Sequence, residues 1–252
     1  VIEVQGTTIL LLATFGMEVV ECGGALAKNV QGGGKSHAAV LLSSPETRPQ
    51  VKEVAKILDI EVSFLDFEYG LVTPDVESKK KLIKTIRQIR PDIIITQDPE
   101  HSFCDLDPDR RQAMILYLEA IALASRDFAT EEMPDLLPHP IPTIYYMTPD
   151  HPNCVVDISS VWKLKEQAME KLKGQLAFTA QVLKKRFSEE TLKAVVPDIS
   201  SLTNDLEIGK ALHKQMDKAF HLYHGLLGHG SKYALAEPYR REGSFNLDQL
   251  VV

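Results

Sequence analysis

The sequence predicts a three-layer α/β fold with a mostly parallel sheet, and three observations carry that expectation. Short apolar runs containing β-branched residues alternate with longer stretches of helical period through the first 159 of 252 residues, the pattern of a parallel sheet with covering helices. No internal repeat, low-complexity stretch or linker rich in Gly, Pro or Ser divides the chain, which reads as a single domain over 1–252. A composition of 44% hydrophobic and 25% charged residues is ordinary for a globular protein and supplies a sizeable core.

In chain order, strands are expected at 7–14, 37–43, 61–66, 92–97, 142–148 and 154–158. Helices are expected at about 20–30, 48–58, 75–90 and 108–125. The second of these begins at Pro49, well suited to a first turn, and carries Val51, Val54, Ala55 and Leu58 on one face. After residue 159 the pattern turns helical: one long helix over 160–186, a short one over 188–194, and another over 204–224. The last has an apolar stripe of Ile208, Leu212, Met216, Phe220 and Tyr223. Residues 231–242 read as a final strand or an extended arm closing over the sheet. This is a Rossmann-like arrangement.

A net charge of −7 and a pI near 5.6 argue against nucleic acid as a partner, because a phosphate backbone demands a clustered cationic face. The runs Lys79-Lys80-Lys81 and Lys184-Lys185-Arg186 lie in helical patterns and read as solvated faces. Cys22, Cys104 and Cys154 are odd in number and lack CxxC spacing, so neither a disulfide framework nor a zinc ribbon is expected. Residues 7–14 are too short to span a bilayer and have no flanking features of a leader peptide. The expectation is a soluble, cytoplasmic protein with no membrane contact.

Ligands of doubly wound sheets bind beyond the carboxyl ends of the strands, where strand order reverses. With the first four strands ordered 3-2-1-4, that crevice lies between loops 14–18 and 98–110. The second loop concentrates Asp98, Glu100, His101, Cys104, Asp105, Asp107 and Asp109 before a helix. Capping alone accounts for Asp107, Pro108 and Asp109.

At these loops the chain resembles the PIG-L/LmbE family of zinc-dependent de-N-acetylases, which also includes amidases and a hydratase branch. The family's first motif, Ala-His-Pro-Asp-Asp-Glu followed by Gly-Gly, aligns with Ala13-Thr14-Phe15-Gly16-Met17-Glu18 and Gly23-Gly24. Its second, an Arg-Pro-Asp strand entry leading to His-Pro-Asp-His-Arg, aligns with Arg90-Pro91-Asp92 and Asp107-Pro108-Asp109-Arg110-Arg111. Arg48, Glu53, Phe64-Leu65-Asp66, Tyr145-Tyr146, Val156-Asp157-Ile158-Ser159, Ala236-Glu237 and Tyr239-Arg240 extend the resemblance over almost the whole chain. It implies zinc ligands at Thr14, Met17 and Arg110 and a general base at Gly16, and none of these residue types suits its role. The family's later His-x-Ser-Gln appears as Phe178-Thr179-Ala180-Gln181. The expectation is therefore no metal and no cofactor, with Phe15 and Met17 filling volume at the crevice mouth. Arg110 then pairs with Asp98, Asp105, Asp107 or Glu18 in place of the cation.

Other local patterns compete. His221 and His224 share a helix face, with His229 beyond, and offer a relocated metal site against an ordinary apolar stripe. His101 and Cys104, with Asp105 or Cys22, offer another against a solvated His and an inert thiol. Gly32-Gly33-Gly34-Lys35-Ser36 leads into a strand and reads as a turn, not a phosphate loop. His151 is either a substrate contact or a turn residue.

Three functions follow. The first is a non-catalytic subunit or ligand-binding partner of an active zinc-bearing relative, binding an anionic small molecule through Arg110 and Arg111 with Thr14, Phe15 and Met17. The second is a redirected metal-free hydrolase, lyase or hydratase using Glu18, Asp98, Asp107, Asp109, Arg110 or His151. The third is a zinc-dependent de-N-acetylase acting on an N-acylated amino sugar. Bacterial members of the resembled family assemble as trimers or hexamers, which implies a homo- or hetero-oligomer. Apolar residues in 187–204 and 243–252 are the candidate interface.

Overall fold

The computed structural model describes residues 6–228 and 232–244. Seven strands form one sheet: β1 (Thr8–Ala13), β2 (Lys35–Leu42), β3 (Glu61–Phe67), β4 (Ile93–Gln97), β5 (Thr143–Met147), β6 (Cys154–Asp157) and β7 (Ala236–Arg241), ordered β3-β2-β1-β4-β5-β7-β6. The first five are parallel. The 231–242 segment supplies a strand, β7, which slots antiparallel between β5 and β6. Strand order reverses beside β1, so its carboxyl end faces that of β4 across a crevice.

The helices are α1 (Glu18–Glu21), α2 (Gly23–Gln31), α3 (Arg48–Leu58), α4 (Val76–Ile89), α5 (Pro99–Phe103), α6 (Pro108–Ala124), α7 (Trp162–Met169), α8 (Lys173–Arg186), α9 (Glu189–Lys193) and α10 (Asp205–His224). Strand alternation divides the core between the two faces. Leu11 and Val40 face α2, α3 and α7, while Leu10, Leu12 and Leu41 face α4 and α6. Leu10, Leu11 and Leu12 are fully buried. Each contributes about 1.5–3 kcal/mol by leaving water, which makes β1 the spine of both layers.

Two local expectations are corrected. The stretch 160–186 is two helices, α7 and α8, with a break between Met169 and Lys173. The break lets Leu172 and Leu176 enter the main core while Ala180 packs with Leu192, Val196, Ile199, Ile208 and Leu212 in a second cluster, two directions that one straight helix does not serve. The loop after β4 is not irregular throughout: Asp98 accepts hydrogen bonds from the amides of Glu100 and His101 and caps the short α5.

The apolar stripe of α10 splits. Ile208 and Leu212 are buried, but Met216, Phe220 and Tyr223 are 47%, 41% and 62% exposed. In 187–204, Leu192, Val196 and Ile199 pack on their own chain while Phe187 and Val195 stay exposed. Residues 245–252 and His229 lie outside the described residues. Among the described residues no helix is long and apolar enough to cross a membrane.

Candidate functional site

The crevice is built from the turn after β1 and the start of α6. After Ala13 the chain turns so tightly that a Cβ on Gly16 would fall 2.4 Å from Val51 Cγ2. The turn folds Glu18 back, and its Oε2 accepts a hydrogen bond from the Thr14 amide at 2.5 Å. Thr14 is wholly buried, its hydroxyl 3.2 Å from that of Tyr117. Glu18 is also wholly buried, and burial pushes its carboxyl up to about 8 against the opposing pull of Arg110.

Arg110 reaches this carboxyl from the first turn of α6. Its Nη1 lies 3.1 Å from Glu18 Oε1, an ion pair without hydrogen-bond alignment, and its Nε lies 3.7 Å from Asp105 Oδ2. The guanidinium also sits over the Phe15 ring, 5.1 Å from its centroid, and Phe15 stacks on Tyr69 at 6.2 Å. Asp109 holds that arrangement in place: it accepts hydrogen bonds from the amides of Gly70 at 2.7 Å and Val72 at 3.4 Å, tying down the loop that carries Tyr69. Asp107 caps α6 through the amides of Asp109 and Arg110. Arg111 donates to the carbonyl of Asp105. Of the expected partners for Arg110, the structure selects Glu18 and Asp105.

The remaining candidates stand apart. Asp98 is 1% exposed and takes a two-pronged contact from Arg240, Nε to Oδ2 at 2.9 Å and Nη2 to Oδ1 at 3.1 Å. Burial alone would raise Asp98, but Arg240 and the α5 amides hold its carboxyl below the usual carboxylate range. His151 is exposed in the bend after β5. His101 pairs with Asp150 at 3.1 Å and Cys104 is exposed. His221 is buried, with Nδ1 2.7 Å from the Asp217 carbonyl, and His224 packs edge-on against Phe220 and Tyr223. Gly33 lies in the left-handed region, φ +87°, at the turn from α2 into β2.

No model of a known protein family matches the chain. Over 127 residues it is 31% identical to the diacetylchitobiose deacetylase of Thermococcus kodakarensis; the match takes in 49% of this chain and about half, 47%, of that relative's length. Among solved structures, the conserved protein TT1542 of Thermus thermophilus superposes with a TM-score of 0.69 at 19% identity, covering 98% of this chain and 100% of that one. The N,N'-diacetylchitobiose deacetylase of Pyrococcus horikoshii gives 0.68 at 16% identity, over 94% and 84% of the two chains. GalB, the 4-carboxy-2-hydroxymuconate hydratase of Pseudomonas putida, gives 0.65 at 18% identity, over 97% and 100%. The chain has the PIG-L/LmbE fold.

The residues that the family resemblance aligns with metal ligands do not fit zinc. Thr14 turns its hydroxyl to Tyr117, Met17 offers a thioether, and Arg110 places a cation against Glu18. Among the described residues no three His, Cys, Asp or Glu side chains are grouped to hold a metal ion.

Several residues around the crevice were not singled out by sequence. Lys165 is 1% exposed, 2.7 Å from Glu237 Oε1, and also donates to the carbonyls of Val20 and Glu21. Burial alone would lower its pKa, but Glu237 and Asp217 outweigh that and raise it. Glu237 further accepts from the amides of Gly24 and Ala25 and from the Tyr239 hydroxyl, so β7, α2 and α7 meet on one buried pair. Lys165 follows Val161 by four and precedes Ala168 by three, a spacing that already placed it on the buried face. Glu21 and Asp217 carried no comparable pattern, whereas Glu237 and Arg240 are among the residues of the family resemblance. A cleft of about 300 Å³ opens beside Met17, between α1, α10 and the ends of β5 and β7. Thr148, on its wall, holds φ +44°, a strained conformation for a β-branched residue.

Proposed function

We propose that this chain keeps the PIG-L/LmbE crevice as a binding site without the metal chemistry, and acts as a subunit or ligand-binding partner beside an active, zinc-bearing relative. The observation that carries this reading is Arg110 on Glu18. A fixed guanidinium stands against the Glu18 carboxyl where a cation would otherwise sit, and its charge repels a divalent metal. Gly16 supports the same reading, since Val51 occupies the space that a carboxylate base would need. The exposed Met216, Phe220 and Tyr223, continued by the exposed Leu226 and Leu227, give the subunit reading a surface to use.

A second reading draws on the Glu18 carboxyl, pushed up to about 8 and thus protonated near neutrality. Such a group suits a general acid in a metal-free lyase or hydratase, in line with the fold shared with a hydratase. Against it stands complete burial: proton delivery would require Arg110 to move first. The deacetylase match favours hydrolysis of N-acylated amino sugars, and the donor set opposes it.

Two assays on the full chain test the proposal. Expected are no release of acetate from N-acetylated amino sugars, with or without added zinc, and light scattering above monomer mass, alone or after co-expression with a zinc-bearing relative. Zinc-dependent acetate release, or a strict monomer in both preparations, would contradict it.

A further inference from the structure

Both guanidinium groups expected to grip an anion are engaged, Arg110 with Glu18 and Asp105 and Arg111 with the Asp105 carbonyl. The cleft beside them has the opposite character. Its walls include Met17, Met147, Phe220 and Tyr239, and two carboxylates, Glu21 and Asp217, stand among them. We propose that this cleft binds a small organic ammonium, its charged nitrogen between Glu21 and Asp217 and its apolar body against the thioether and aromatic walls. The proposal rests on the reading of the crevice as a ligand site and supplies the class of ligand.

Four observations support it. First, the volume, about 300 Å³, lies at the lower end for small-molecule sites, and mostly apolar walls with a few polar groups are the usual composition of such sites. Thioethers and aromatic faces also favour the carbon atoms around an ammonium nitrogen.

Second, no charged cation is paired directly with either carboxylate among the described residues, although Arg110 and Lys165 act on Glu21 from further off. Among the described residues no Lys, Arg or His nitrogen lies within 4.0 Å of the Glu21 carboxylate: Lys165 spends its ammonium on Glu237 and on backbone carbonyls, that of Glu21 among them. Among the described residues the direct ion-pair partner of Asp217 is His221, at 3.3 Å, whose pKa is lowered by burial, so this contact adds no positive charge at neutral pH, while the Lys165 ammonium acts on Asp217 from further off.

Third, burial raises the Glu21 carboxyl, and a bound cation would offset that cost.

Fourth, a buried polar side chain on the strand next to Met147 of the cleft wall has no partner. Gln97, at the end of β4, is 3% exposed and both ends of its carboxamide are unpaired. It stands in register with Met147 on the neighbouring parallel strand, so the two side chains leave the same face of the sheet.

The test is calorimetric titration of the full chain with three probes that share a phenylethyl body: 2-phenylethylammonium, 2-phenylethanol and 3-phenylpropanoate. The proposal expects the ammonium to bind at least about 10-fold tighter than the alcohol, and the carboxylate not to bind. Glu21→Gln should weaken the ammonium by about 10-fold or more and leave the alcohol unchanged; Asp217→Asn serves if Glu21→Gln does not fold. Phe220→Ala should weaken both ammonium and alcohol. Equal affinity for ammonium and alcohol, preference for the carboxylate, or no saturation by the ammonium below about 10 mM would overturn the proposal. Zinc content of the same preparation separates the two readings. A zinc-loaded protein that selects the ammonium contradicts the metal-free reading alone, and a zinc-free protein that does not select it contradicts this one alone.

Discussion

Arg110 Nη1 lies 3.1 Å from the wholly buried carboxyl of Glu18, and the two residues come from the two loops that flank the switch in strand order. The pair joins the turn after β1 to the first turn of α6.

The pair should be energetically coupled. Arg110→Met should cost about 2 kcal/mol at pH 7, below the 3–5 typical of a broken buried pair because the Glu18 carboxyl, raised to about 8, is already largely protonated there. Adding Glu18→Gln should recover part of the loss. Chemical denaturation of the four proteins in the cycle measures this. Additivity within about 0.5 kcal/mol would mean that the contact is incidental.

The pH dependence has a definite sign. Glu18 is pushed from 4.5 to about 8, so the folded state holds this proton more tightly than the unfolded chain. Stability of the natural chain relative to Glu18→Gln should fall as pH rises from about 4.5 to about 8, by up to about 1.4 kcal/mol per pH unit, and level off above. Paired denaturation curves between these limits check it. The reverse slope, confined below pH 4.5, would show an ionised Glu18 held below its ordinary value.

Asp98 and Arg240 form a second clasp, between the ends of β4 and β7. Arg240→Gln leaves a buried carboxylate without its cation and should cost about 3–5 kcal/mol at neutral pH. Asp98 titrates below its ordinary 3.8, so its contribution is present above that pH and is lost as pH falls through the lower folded value. The natural chain and the variant should therefore converge in acid, and hydrogen exchange of β7 should quicken in the variant. Unchanged exchange in β7 would mean that the strand is held by its ladder alone.

The fold was legible because its evidence is periodic. β1 and the helix at 48–58 follow from apolar spacing, and strand order 3-2-1-4 placed the crevice between loops 14–18 and 98–110. The break between α7 and α8 was not legible, because one unbroken helical pattern serves two cores and only packing decides where it turns. At the site, the cap by Asp107 follows from local rules, whereas α5 with its Asp98 cap was not read from the loop, and the choice of Glu18 among four candidate partners for Arg110 depends on the depth of the first turn. Glu21 and Asp217 could not be joined by sequence at all. They are 196 positions apart and meet only because α10 packs back beside β7.

The central claim is that the Arg110–Glu18 contact stands where the family resemblance places a metal. Elemental analysis of the purified chain, after incubation with one equivalent of zinc and gel filtration, tests it most directly. The account predicts no stoichiometric zinc in the natural chain. One zinc per chain, retained through filtration and lost in Glu18→Ala or Met17→Leu, would contradict it.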